Sequence, residues 1–167
     1  MQKTNKLISQ GSIELLVVVV ILFIFILGIM DIALYFRQVY VVQTISDEVL
    51  ARLKTASVCY YEAGSYDSRT FSGEYTEENV QNRVKSIMKK AIKYYYNKDV
   101  DFSVLVNPST NKIAAYKSPD NVFVFNVYCS KTSTPDYVYF SHLYKGMFLY
   151  PNGKRLYSNL STNTTLF

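Results

Sequence analysis

Residues 11–40 read GSIELLVVVVILFIFILGIMDIALYFRQVY, and this stretch decides the fold. From Leu15 to Met30 no residue is charged or strongly polar, yet Glu14 stands directly before the run and Asp31 directly after it. A carboxylate facing hydrocarbon costs roughly 2.5–3.5 kcal/mol on insertion scales. An acid at each end of an otherwise lipid-soluble helix therefore needs a physical reason. At ~1.5 Å per residue, Ile13 to Phe36 spans about 36 Å, enough to cross a bilayer with some tilt. A cleaved secretory signal would carry a shorter apolar core and then a small-residue site. Here the run passes into DIALYFRQVYVVQTISDEVLARLKT without such a site, so the segment is expected to remain as a membrane anchor in contact with lipid.

Ahead of it, MQKTNK carries Lys3 and Lys6 and no acid. The positive-inside rule puts that end in the cytoplasm, with Arg37 competing on the far side. Tyr35 and Tyr40 are placed like interfacial aromatics at the outer boundary. The remainder of the chain is then expected outside the inner membrane, in the periplasm or at the cell surface.

Beyond Phe36 the helix pattern continues in amphipathic form. Val39, Val42, Ile45, Val49 and Leu53 recur at three- and four-residue spacing, while Gln43, Ser46, Asp47, Glu48 and Arg52 fill the other face. One continuous helix is predicted over residues 12–55, about 65 Å long. Its first half is bare to lipid or neighbouring helices and its second half packs on a domain. The organisation expected is a basic leader over 1–11, a transmembrane and stalk helix over 12–55, and an extracytoplasmic head over 56–167.

Within the head, residues 56–75 are rich in Ser, Gly and Tyr and read as a loop. Thr76 is an N-cap candidate for TEENVQNRVKSIMKKAIKYYYN, with Glu77 and Glu78 near the positive helix end. Val80, Val84, Ile87, Met88, Ala91 and Tyr95 make one apolar face of that helix, and Lys85, Lys89 and Lys93 a solvated one. Alternation then takes over, predicting strands in DFSVLV, KIAAYKS, NVFVFNVYCS (the central one), DYVYFSHLY, GMFLY and KRLYS, the last after a Pro151-Asn152-Gly153 turn. A helix followed by an antiparallel sheet is an α+β arrangement.

The formal net charge of +5 does not point to nucleic acid, because the basic residues are spread along the chain with no arginine-rich block. Cys59 and Cys129 are too far apart and too few for a metal site. If their region is exported, a single disulfide between them is expected; two buried free thiols are the alternative in a cytosolic setting. No Gly-rich phosphate loop, metal-ligand pair or nucleophile elbow occurs, and no cofactor is expected. Asp99 and Asp101 lack a companion base, and His142, the single histidine, stands beside Ser141 without a catalytic pattern. The chain reads as a non-enzyme. Asn159 and Asn163 each begin an N-x-Ser/Thr sequon, relevant only in a host that glycosylates.

A short basic leader, a small residue, Glu, and a long apolar helix emerging as a stalk under an α+β head together resemble a class III prepilin signal and a type IV pilin-like subunit. IELLVVV, from Ile13 to Val19, is similar to the ordinary pilin start. Downstream, Gly28-Ile29-Met30-Asp31 and Leu34-Tyr35-Phe36-Arg37-Gln38 resemble the TadE/TadF-like pseudopilins of tight-adherence pili, with Asp for Glu. The resemblance covers residues 8–55. It implies that Glu14 is the fifth residue of the mature chain and neutralises an N-terminal amine, its own or a neighbour's, as subunits enter the filament. It also implies a prepilin peptidase, other pilin subunits and an assembly platform as partners.

Counting back from Glu14 puts processing between Ser9 and Gln10, after Ser where the family has Gly. Processing after Gly11 with unusual spacing, or no processing, are the alternatives. Asp31 is expected to meet water or a neighbouring subunit, since Arg37 is six positions away and off its face. Two function classes follow: a minor pilin or pseudopilin, or a single-pass anchored binding or adhesin module that forms no filament.

Overall fold

The computed structural model describes residues 2–55, 77–106, 113–128 and 135–158. Helix α1 runs from Gln2 to Lys54, 53 residues without a break. It therefore begins about ten residues before the expected start, and at ~1.5 Å per residue is about 80 Å long. Helix α2 spans Glu77–Tyr96. Five strands follow: β1 Ser103–Val106, β2 Ile113–Lys117, β3 Phe123–Tyr128, β4 Tyr137–Tyr144 and β5 Lys154–Tyr157. They form an antiparallel meander in the order β1-β2-β3-β4-β5, so NVFVFNVY supplies the central strand as expected. The α+β architecture stands. GMFLY does not form a strand; Gly146–Tyr150 turns back in the β4–β5 connection, because that hairpin is closed by a Tyr150–Gly153 turn in which the Gly153 amide donates to the Tyr150 carbonyl at 2.8 Å.

Register sets one face of the sheet. Tyr116, Phe125 and Phe140 lie opposite one another across β2, β3 and β4, as do Ala114, Val127 and Val138. Phe123, His142 and Leu156 form the next row across β3, β4 and β5. Onto this face α1 brings Val42, Ile45, Val49 and Leu53, and α2 brings Val84, Met88, Ala91 and Ile92, all buried in one core. Phe125 stacks on Phe140 at 4.4 Å between centroids and meets the edge of Phe102. Burying a side chain of this size contributes about 1.5–3 kcal/mol, and aromatic geometry adds about 0.5–1.5 kcal/mol per pair.

Two expected faces are corrected by this packing. Val39 is exposed, and Ser46, assigned from its polarity to the solvent face, is buried with its hydroxyl donating to the Val138 carbonyl. The reason is the edge of β4. Strand β5 covers only Ser141–Tyr144, leaving the first half of β4, Tyr137–Phe140, without a ladder partner on that side. Ser158 takes Phe140, donating its amide to the Phe140 carbonyl and accepting the Phe140 amide on Oγ, each at 2.9 Å. Ser46 takes the next outward carbonyl. Buried backbone acceptors need such partners, and two buried serines supply them.

Strand β4 is aligned with the stalk. Val138 meets Ser46 at one end and Tyr144 meets Asp31 at the other. Fifteen helical residues rise about 22 Å, and six strand residues about 20 Å. The two paths match in length, so β4 descends the helix from Ser46 to Asp31, and among the described residues the head ends there.

Candidate functional site

The head's lower limit divides α1 into two physically different halves. From Ile13 to Met30 the helix is bare: its large apolar side chains are exposed apart from the half-buried Leu27, and it is long and apolar enough to cross a membrane. This stretch measures about 27 Å, close to a bilayer's hydrocarbon thickness. The bare surface expected to reach Phe36 stops short on its head-facing side, where the head covers Asp31 and part of Tyr35, while Phe36 itself stays exposed.

Asp31 is 5 % exposed and is held by its own chain. One carboxylate oxygen accepts the Tyr144 hydroxyl at 2.9 Å; the other accepts the backbone amides of Phe148 at 2.8 Å and Leu149 at 2.7 Å. Two adjacent amides converging on one oxygen make a small anion socket of the kind that turns provide, and charge-assisted bonds of this type are about twice as strong as neutral ones. The expectation that Asp31 meets water or a neighbouring subunit is therefore corrected: its partners are Tyr144 and the β4–β5 connection. Gly146 makes this possible. A Cβ there would run into the Leu149 carbonyl, would sit 2.5 Å from the Asp31 carboxylate and would lie 2.8 Å from the Tyr144 hydroxyl.

Next to the socket, Tyr35 packs on Tyr144 and Tyr150 with ring centroids 5.6 and 5.5 Å apart. The Lys154 amine lies 4.4 Å from the Tyr150 centroid and 5.7 Å from that of Tyr35, and donates to the Tyr150 hydroxyl at 2.9 Å. Cation–π contacts of this kind contribute about 0.5–1 kcal/mol at exposed sites. The amine lowers the Tyr150 phenol below its ordinary value by its hydrogen bond and charge, while burial and the Asp31 charge push the Tyr144 phenol up to about 12. Tyr144 is therefore a hydrogen-bond donor at all physiological pH values.

The other predicted residues fall elsewhere. Glu14 is exposed on the bare half and has no hydrogen-bond or ion-pair partner among the described residues. Arg37 is exposed and pairs with neither acid. Ser9, Gln10 and Gly11 lie in the first turns of α1. Cys59, Cys129, Thr76, the 56–75 loop and the sequons at Asn159 and Asn163 lie outside the described residues. Asp99 and Asp101 precede β1 and pair with Lys93 and Lys89 of α2.

His142 is a core-lining residue. Its ring stacks on Phe123 at 5.1 Å, and its Nδ1 is 3.2 Å from the Tyr96 hydroxyl. Burial, helped by Lys98 and Arg155, lowers its pKa to about 4, so it is neutral near pH 7.

The socket was missed by reading apolar residues alone. Asp31, Tyr35, Gln38 and Val42 continue the buried stripe backward at four- and three-residue spacing. That periodicity marks Asp31 as head-facing. Its amide partners carry no sequence signal. Comparison of the chain with protein-family models, with curated proteins and with solved structures finds no match.

Proposed function

We propose that this protein is a structural, non-catalytic subunit: a minor pilin or pseudopilin, anchored through Ile13–Met30 with its N-terminus cytoplasmic, and assembled into, priming or capping a type IV or tight-adherence filament. The observation that carries the reading is the division of one unbroken helix into a bare apolar half and a half fixed into a rigid head. A bare helix satisfies lipid before assembly and neighbouring helices afterwards, so the same surface serves both states.

Glu14 is the second support. It sits on the bare half without a partner among the described residues, so inserting it in hydrocarbon carries the cost of an unpaired carboxylate unless a cation meets it. An N-terminal amine exposed by leader processing, its own or a neighbour's, supplies that cation. Asp31 already accepts three hydrogen bonds from its own chain, so this scheme needs no neighbouring subunit to meet it.

Intact mass and N-terminal sequencing of the protein from membranes of its own host test the reading. A chain beginning at Gln10 or Ser12 supports prepilin-type processing, and Glu14→Ala should then insert normally while its incorporation into filaments falls at least about tenfold, as expected for about 1.4 kcal/mol or more of lost pairing. A chain still beginning at Met1 in cells with an active prepilin peptidase, with Glu14→Ala behaving as wild type, would favour a single-pass binding or adhesin module.

A further inference from the structure

Where the head meets the foot of the exposed stalk, the β4–β5 connection presents Met147 and Phe148 to the outside, 69 % and 51 % exposed. Met147 and Phe148, with the exposed Tyr150 two residues on, make a contiguous apolar tip of the kind that a contact covers. Their position is fixed. The amides of Phe148 and Leu149 are bonded to Asp31, the residue directly after Met30, so the loop sits level with the end of the bare apolar run. It cannot rise from that level without breaking the socket. Lys145 and Lys154, both exposed, flank it, and Tyr150 of the connection packs its ring on Tyr35 of the helix. Apolar tip, aromatic shoulder and flanking amines form the sequence of groups met on passing from acyl chains through the interface to lipid phosphates.

We propose that the β4–β5 connection is a second membrane contact. Met147 and Phe148 enter the boundary between acyl chains and headgroups, and Lys145 and Lys154 lie at the level of the lipid phosphates. This rests on the reading of Ile13–Met30 as a membrane span. The head is then held at the bilayer at two points, helix and loop, rather than swinging on the helix alone. The Asp31 socket is what ties the second point to the first.

The chain contains no Trp, so a single introduced Trp reports its own surroundings. Full-length Phe148→Trp, Ile21→Trp and Tyr137→Trp chains are reconstituted in vesicles of phosphatidylcholine and phosphatidylglycerol, with phosphatidylcholine brominated near the carbonyl end or near the methyl end of its acyl chains. Tyr137 is 53 % exposed, matching Phe148, but lies at the Ser46 end of β4, about 20 Å further along the stalk. The expected result is blue-shifted emission from the Phe148→Trp chain, quenched more by bromine near the carbonyl than near the methyl. The Ile21→Trp chain should be quenched by deep bromine, and the Tyr137→Trp chain by neither.

An unquenched Phe148→Trp chain with water-like emission, beside a quenched Ile21→Trp chain, overturns the loop contact and leaves the anchor intact. Blue-shifted but unquenched emission also overturns it, assigning the loop to a second copy. An unquenched Ile21→Trp chain overturns both the anchor and the loop contact.

Discussion

Replacing Asp31 by alanine removes one acceptor group and leaves three donors behind: the Tyr144 hydroxyl and the amides of Phe148 and Leu149. Hydrogen bonds to a charged group contribute about 1.5–3 kcal/mol each, and a buried donor left unmade costs about 1–3 kcal/mol. The two amides belong to a half-exposed loop that water can reach once the carboxylate is gone, so their loss is partly refunded. A total of about 2–4 kcal/mol is expected, concentrated in the connection rather than spread over the head. Asp31→Asn should cost less, about 1–2 kcal/mol. Its Oδ1 can still accept the two amides while its Nδ2 donates to a rotated Tyr144 hydroxyl, so only the charge is lost. Asp31→Glu should fall between them, because the extra methylene has no room beside Gly146.

Hydrogen–deuterium exchange of the full-length chain in detergent reads this locally. A loss of 2–4 kcal/mol corresponds to roughly 30- to 800-fold faster exchange at Phe148 and Leu149, with little change at the β3 amides. Unchanged exchange at those two amides in Asp31→Ala would refute the socket as the clasp between stalk and head. Equal acceleration throughout the sheet would show instead that Asp31 supports global folding and no separate local unit.

Gly146→Ala should open the same socket from the other side, lowering stability by about 1–3 kcal/mol and accelerating exchange at the same amides, since the added methyl meets the Leu149 backbone and the Asp31 carboxylate. His142 gives a pH dependence of definite sign. Its pKa is about 4 folded and about 6.5 unfolded, so its contribution is complete above pH 6.5 and is lost as pH falls toward 4. The ring is only half-buried, so the loss is about 1–3 kcal/mol. Urea midpoints taken between pH 8 and 4 should fall over that window, and the fall should be shallower in His142→Gln.

How much was legible before the fold depends on which residues are concerned. The continuous helix, the stripe of Val42, Ile45, Val49 and Leu53, the second helix and the placing of β3 at the centre all follow from periodicity and apolar content, which act locally along the chain; the change of character expected after Phe36 falls instead at Asp31, on the face that the head covers. Ser46 was misassigned because polarity alone says solvent, whereas the open edge of β4 created a carbonyl that only a donor on that helix face could reach. GMFLY alternates well enough for a strand, yet the amides of Phe148 and Leu149 within it are committed to Asp31 instead of a ladder.

The sequence by itself determined that the chain has a lipid-compatible helix with an acid at each end, because hydrophobicity and charge are properties of single residues. Only the tertiary structure decided that the two acids differ. Glu14 stays on the bare helix without a partner among the described residues, and Asp31 meets amides from residues more than a hundred positions away. Backbone donors have no side-chain signature, so their convergence on a carboxylate is fixed by where β4 descends along the stalk and where its hairpin turns back.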